Sequence, residues 1–260
     1  IINKIIKNDE RFTLISQKNQ GLSAVKNLGI KKSIGDYLVF IDGDDLINKH
    51  YLNLILQSID LYKPDVVIPK VIQSVDKPFF NLIQSNEKSA LYLKKYAKEE
   101  MASPVNFGSS WSFVCKKSLY ENLTFPNTIF EDSFLLPKLI QKVNKLTISH
   151  NSIYWYRIRS GSIMTSNKDE NWYLLKSKSH LNILKSLLKM KIISSYSLRY
   201  MQFMHTFIEM SRLKYGKNEI LEFANLPLPK KYNGDYKFKF YIINIFGPKL
   251  FFEIIKIFKK

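Results

Sequence analysis

The sequence predicts an α/β fold on three observations. Strand-like apolar runs alternate with amphipathic, helix-like stretches from Phe12 to Ile68. One of those runs, residues 37–41, is apolar without a break. It leads directly into Asp42-Gly43-Asp44-Asp45, an acidic loop where a strand should end.

The elements follow in order. Phe12-Thr13-Leu14-Ile15-Ser16 is a short run with strand character, broken by Asn19-Gln20-Gly21. Residues 23–33 have helical spacing, with Val25, Leu28 and Ile30 apolar, lysines between them and Gly35 closing. Tyr37-Leu38-Val39-Phe40-Ile41 reads as a strand buried on both faces in a parallel sheet. A helix over 49–62 is stopped by Pro64, and Val66-Val67-Ile68 is a further buried strand. Residues 73–101 read as an insertion or connecting helix, and 110–119 as strand and turn. A helix is predicted over 131–143 and a strand over 153–156. Beyond Lys168 helical spacing dominates, with Leu174, Leu181, Leu184, Leu187 and Leu188 in register. No internal repeat is present.

Composition narrows the class. Hydrophobic residues make up 45% and charged residues 24%, an ordinary globular balance that excludes disorder. No run of about 20 apolar residues exists to span a bilayer. The single cysteine, Cys115, excludes a disulfide framework and a cysteine zinc site. With 40 Lys+Arg against 22 Asp+Glu the net charge is +18, a field that favours nucleic acid, an anionic membrane face or phosphorylated substrates. A lysine-rich genome bias would give the same excess. Scattered lysines and the lack of a binding module set nucleic acid aside.

Asp42-Gly43-Asp44-Asp45 carries the chemistry. Three carboxylates in four positions repel one another unless a cation or donor hydrogens offset them. Ligands of open α/β sheets bind beyond the carboxyl ends of strands, and a hard divalent ion bridging to a diphosphate suits this place. A plain polar Asp-Gly turn is the alternative. Haloacid-dehalogenase-type phosphatases also place Asp-x-Asp after an apolar strand, with the first Asp as nucleophile. Asp45 and Leu46 stand where that pattern has Gly and then Thr or Val.

The wider context resembles the family 2 glycosyltransferases of the GT-A fold. The residues that carry the resemblance are Asn19-Gln20-Gly21-Leu22-Ser23-Ala24-Val25-Lys26-Asn27-Leu28-Gly29, Gly35-Asp36-Tyr37 and Phe40-Ile41-Asp42-Gly43-Asp44-Asp45. Downstream, Glu131-Asp132 is similar to the family's acceptor-side Glu-Asp pair. Tyr156-Arg157-Ile158-Arg159-Ser160-Gly161-Ser162-Ile163-Met164 is similar to its Y-R-x-R-x-x-S-I-M segment. The resemblance spans roughly residues 9–166 and implies a Rossmann-like mixed sheet flanked by helices, with a helical C-terminal extension. Residues 1–166 are then the catalytic domain and 167–260 the extension.

It also implies an inverting, metal-dependent transferase that takes a sugar from a nucleotide diphosphate, a UDP-sugar above all. The acceptor is a glycan or lipid-linked acceptor in cell-surface polysaccharide assembly. Asp44 is the implied principal ligand of Mn2+ or Mg2+, Asp42 contacts the ribose or the metal, and Asp45 is a secondary ligand. Asp132 is the implied general base, oriented by Glu131, although acids at a helix start also suit the macrodipole. Asn19, Gly21, Lys26, Asn27, Asp42, Arg157, Arg159 and Ser162 are the candidate donor contacts. The family more often has Arg where Lys26 stands, so the charge stays and the bidentate fork is lost; taken alone, Lys26 reads as solvated. Arg157 and Arg159 share one face if both lie on a strand. Trp111 reads as core, with the acceptor site as the other option, and His50, His150, His180 and His205 show no ligand spacing.

Two ends depart from the pattern. The chain opens on Ile1 and lacks a signal-peptide core. The family's opening strand and first helix, and the aspartate that reads the nucleobase, are absent. This N-terminally incomplete chain is expected to fold poorly or bind donor weakly, the parallel edge being exposed. A truncated remnant or a basic surface-binding protein is the non-catalytic alternative. At the other end, residues 236–260 alternate bulky apolar residues with lysines. They suit peripheral binding to an anionic membrane, the inner face of the cell membrane, in a cytoplasmic protein. A helix packed on the catalytic domain is the competing option.

Overall fold

A computed structural model describes residues 9–75, 89–103, 108–159 and 168–229. Ser162, the boundary between 166 and 167, and the 236–260 tail lie outside the described residues.

The described chain opens on an irregular stretch and then forms α1 (Leu22–Lys32), β1 (Tyr37–Val39), β2 (Leu46–Ile47), α2 (Tyr51–Tyr62) and β3 (Val66–Ser74). β4 (Ala90–Leu93), α3 (Lys95–Ala102), β5 (Val114–Lys116), α4 (Glu131–Lys142) and β6 (Lys145–Arg157) follow. The helices α5 (Glu170–Lys189), α6 (Ile193–Leu213) and α7 (Lys217–Ala224) complete it. The expected α/β alternation is present. Lys63, left-handed at φ 46, caps α2 immediately before Pro64, as the helix stop requires.

Two expectations are corrected. Residues 12–16 form no strand, and Phe12, Leu14 and Ile15 are exposed. A strand needs a neighbour to take its hydrogen bonds, and among the described residues none lies beside them. β1 is shorter than expected and is an edge, not a central parallel strand: it pairs antiparallel with β5, and Ile41 is exposed.

The sheet runs β1-β5-β3-β6-β2, with β4 also on β6. Among the described residues only β3 and β6 run parallel, over nine paired positions from Val66↔Leu146 to Ser74↔Arg157. The register breaks between Pro69 and Lys70, where β6 carries its extra residues. Proline has no N–H to give the ladder, so it belongs at such a break. Across the bulge Ser149 and Ser152 bond at 2.7 Å. The bend divides β6: its first half takes β4 and its second half takes β2, antiparallel.

Helices cover both faces. On one, α2 sets Tyr51, Ile55 and Ile59 against Val67, Val114, Trp111 and Tyr154. On the other, α4 buries Leu135, Leu136, Leu139 and Ile140 in a cluster that includes Val66, Ile68 and Leu146. That cluster continues without a break through Leu184, Tyr200, Phe207 and Phe223 of α5–α7. Area removed from water on this scale supplies most of the folding free energy. The helical region therefore shares the core of the sheet.

Asp65 ties three strands together. Its carboxylate accepts from the Lys116 ammonium at 3.0 Å and from the Asn144 and Lys145 amides at 2.9 and 3.0 Å. Burial pushes its pKa up, but the Asn144 amide, Lys116 and the Lys145 amide outweigh that and hold it below the ordinary 3.8. A depressed folded-state pKa stabilises above the unfolded value and ceases to as pH falls through the folded one. Asp65→Asn should therefore lower Tm at pH 7, and thermal melts should show the gap to wild type closing as pH falls from the ordinary 3.8 through the lower folded-state pKa.

Candidate active site

The acidic loop is held open by β6. Asp45 is buried: one carboxylate oxygen accepts from the Tyr154 hydroxyl at 2.6 Å and the other from the Arg157 amide at 2.9 Å. The same tyrosine oxygen accepts from the Asp42 amide at 3.1 Å. Two positions of the loop are thus fixed to one strand residue. Burial and the Asp45 carboxylate push the Tyr154 phenol far up, so it stays a proton donor at any working pH. Asp45 acts as the anchor of the loop, which leaves the carboxylates of Asp42 and Asp44 to face outward chemistry.

The two differ in their share of positive charge. Burial raises the Asp42 pKa; Lys26 lowers it, while Asp45, Asp132 and Asp44 raise it again, and the net direction is upward. Asp44 meets the Arg159 guanidinium at 2.7 Å, a half-exposed pair at the rim. Arg159 lies beyond the end of β6, so Arg157 and Arg159 do not form a shared strand face. The Arg157 side chain is exposed.

The opposing wall is built by α1 and α4. Lys26, expected to be solvated, is only 5% exposed. Its ammonium donates to Glu131 at 2.7 Å and to Asp132 at 2.9 Å, across more than a hundred residues of sequence. Burial alone would lower the Lys26 pKa, but Asp132 and Glu131 more than offset it and the net shift is upward. Around it, Ser23 donates to the Pro126 carbonyl, and Asn27 both donates to and accepts from the Phe125 backbone at 3.0 and 2.8 Å. Asn27 thereby braces α1 against this segment with both ends of its amide engaged. The buried face of α1 is consequently polar, Ser23 and Lys26, while Val25 is exposed.

Gly21 caps α1 at φ 86, a conformation that L side chains rarely adopt. The Asn19 side chain accepts from its amide at 3.1 Å. Phe130 is left-handed too, φ 63, directly before the acid pair. Such backbone strain in a bulky residue persists only when its surroundings impose it. Trp172 meets the Phe130 ring edge to face at 5.3 Å. Trp111 stacks on Tyr154 and Tyr156 at 5.1 and 5.0 Å and belongs to the core. Sequence spacing gave no signal for Tyr154, for the Lys26 pairing or for Phe130. A tyrosine in an apolar strand reads as core, and a partner more than a hundred residues away has no period.

Among the described residues, no group of three His, Cys, Asp or Glu side chains is arranged to hold a metal by itself. The residues nonetheless fit a magnesium-like ion, which binds through one or two carboxylates and completes its shell with phosphate oxygens and water. Asp42 and Asp44 supply that number, and a guanidinium already stands as a cation on Asp44.

Known proteins share this architecture. The sequence pattern of Glycosyl transferase family 2 matches residues 1–124. An uncharacterized glycosyltransferase of Haemophilus influenzae is 30% identical over 199 residues, 72% of this chain and 74% of that protein. Glycosyltransferase GlyA of Streptococcus pneumoniae is 29% identical over 165 residues, 60% of this chain and 24% of that protein. Residues 1–349 of S. aureus TarS, in complex with UDP-GlcNAc, share the fold at a TM-score of 0.61 and 20% identity, covering 86% of this chain and 65% of that one. This chain thus spans less than two thirds of the length of GlyA and of that TarS fragment.

Removing the buried cation that Glu131, buried, and Asp132, partly buried, share should be costly. Lys26→Met is expected to lose about 3–5 kcal/mol in chemical denaturation. Tyr154→Phe, which frees the loop at Asp42 and Asp45, should lose about 1–3 kcal/mol in the same measurement.

Proposed function

The chain belongs to glycosyl transferase family 2, and from that premise we propose an inverting, metal-dependent transfer from a UDP-sugar to an acceptor hydroxyl. One observation carries the reading. An acidic loop with an underneutralised Asp42, and with Asp44 paired only to a half-exposed guanidinium, lies within electrostatic range of a second acid pair that has its own buried cation. The first suits a metal and a diphosphate; the second suits proton removal. Family membership leaves the phosphatase alternative without support.

Asp44 and Asp42 would hold Mn2+ or Mg2+, with Asp45 keeping the loop in place. When bound, the ion supplies positive charge that offsets the charge left on the departing nucleoside diphosphate. Arg159, at the same rim, is placed to exchange Asp44 for a diphosphate oxygen. Asp132 takes the acceptor hydroxyl proton as the new bond to the anomeric carbon forms and the bond to the diphosphate oxygen breaks on the opposite face. Glu131 and Lys26 fix the direction of Asp132, which is a matter of positioning as much as of basicity. Gly21 and Asn19 shape the turn that opens α1, beside Asn127, on the donor side.

The choice of a uridine donor is supported by the UDP-GlcNAc bound to the structural neighbour TarS. Surface glycopolymer assembly is supported by the bacterial motifs that the chain resembles. Residues 1–166 would carry the catalysis, with the helices beyond as an extension that lends its core and Trp172 to the acceptor side. No helix among the described residues is long and apolar enough to cross a membrane. The lysine-rich 236–260 segment suits peripheral attachment at the inner face of the cell membrane.

Calorimetric titration of UDP should show binding that requires Mn2+ or Mg2+ and is lost in Asp44→Asn. Asp132→Asn should cut transfer by about 10²–10⁴-fold while UDP still binds. Binding that is indifferent to both metal and Asp44 would overturn the assignment.

A further inference from the structure

The acid pair opens α4, and the residue before it is strained. Phe130 stands at φ 63 and ψ 25, a left-handed conformation that its bulk disfavours. No side chain caps this helix start, and the Phe130 carbonyl accepts from the Phe134 amide at 3.2 Å. The turn at Phe130 therefore sets the direction in which Glu131 and Asp132, the first two residues of α4, leave the incoming chain. A Phe130 relaxed into the right-handed or extended region would aim both acids elsewhere.

Among the described residues the ring that Phe130 meets is Trp172 of α5, edge to face at 76° and 5.3 Å. Trp172 is itself fixed. Asp169 caps α5 by accepting from the Trp172 amide at 2.7 Å, and Tyr173 meets the indole edge to face at 5.2 Å. The Lys176 ammonium stands 4.6 Å from the centroid of the same ring. The indole is 5% exposed, and its N–H has no hydrogen-bond partner among the described residues. An unpaired buried donor is costly, so this position uses the bulk and outline of the ring and not its polarity. Further along α5, the Asn182 side chain donates to the Phe134 carbonyl at 3.3 Å, a second hold on the first turn of α4. The acidic loop is supported differently, because Asp42 and Asp45 are tied to Tyr154 of β6. The loop and the proposed base thus have separate supports.

Resting on the transferase reading above, we propose that Trp172 is a positioning residue for the base. It holds Phe130 left-handed and thereby keeps the Asp132 carboxylate on Lys26, in the direction that proton removal needs. The helical extension thus acts on the chemical step through a single ring contact and leaves donor binding alone.

Crystal structures of the full chain and its Trp172→Leu variant test this. In Trp172→Leu, Phe130 should leave the left-handed region and the Asp132 carboxylate should move out of hydrogen-bond reach of Lys26. Adding Phe130→Gly should return it, because glycine adopts φ 63 without a steric penalty. A tryptophan that merely fills the core would not be replaced by a change of backbone preference at another residue. With UDP-GlcNAc as probe, Mn2+ present and water as the acceptor, kcat for UDP release should fall about 10–10²-fold in Trp172→Leu and recover in the double variant, with KM unchanged throughout. Trp172→Phe, which keeps the core filled, should show the same changes in smaller measure and takes the place of Trp172→Leu if that variant does not fold. The Asp132–Lys26 distance decides the matter whichever sugar the enzyme accepts. Phe130 still left-handed with Asp132 still on Lys26 in the variant overturns the proposal, and so does a displacement that Phe130→Gly leaves uncorrected. UDP with Mn2+ is titrated in parallel: its failure to bind the wild type would overturn the donor assignment, whereas UDP binding with an undisturbed Asp132 in the variant overturns the positioning role alone.

Discussion

A buried ammonium between two carboxylates organises this molecule. Lys26 on α1 is compensated for its desolvation chiefly by Glu131 and Asp132 on α4, with the Phe125 ring 5.1 Å from its ammonium. Each carboxylate in turn has the other beside it. None of the three is stable at its depth without the remaining pair. The requirement pins the first described helix to the far side of the site, and Ser23 and Asn27 reinforce the same seam through Pro126 and Phe125. It also explains why α1 turns its polar side inward and leaves Val25 in water.

The same pairing separates two acid clusters that would otherwise act as one. Asp42, Asp44 and Asp45 stand on one side, Glu131 and Asp132 on the other, and Asp42 feels charges from both. Lys26 satisfies the second cluster inside the protein. Tyr154 and the Arg157 amide satisfy Asp45. What is left over is Asp42 and Asp44, the latter met by the half-exposed Arg159. The residual negative charge is thus concentrated where a cation can reach it from solvent, whereas the charge of Glu131 and Asp132 is met inside the protein. The two groups of carboxylates differ by burial and partner, not by residue type.

Much of this was legible in the residues themselves. The alternation of strand and helix, the stop at Pro64, the helix beginning at Glu131 and the acidic loop after residues 37–41 all follow from local pattern, because caps, turns and apolar periods are local. The direction of strand pairing did not follow. Five apolar residues look alike in a parallel centre and beside an antiparallel neighbour, and β1 proved to be the latter. Residues 12–16 have strand composition and no strand, since composition does not supply a partner. The site was half visible. Acidic motifs announce themselves by repulsion, but Lys26 looked like any surface lysine, and only the fold reveals the two carboxylates it meets. Tyr154 was hidden for the opposite reason, being apolar enough to pass for core while its hydroxyl holds the loop.

The central claim is that Asp44 and Asp132 face a common reaction centre with a divalent ion at the first and a free path to the second. Anomalous diffraction from crystals grown with Mn2+ and UDP tests it most directly. The account predicts a manganese peak at about 2.0–2.2 Å from carboxylate oxygens of Asp44 or Asp42, bridged to the diphosphate, with Asp132 across the cleft and still bonded to Lys26. A peak elsewhere on the surface, or Asp132 turned away from the diphosphate, would contradict it.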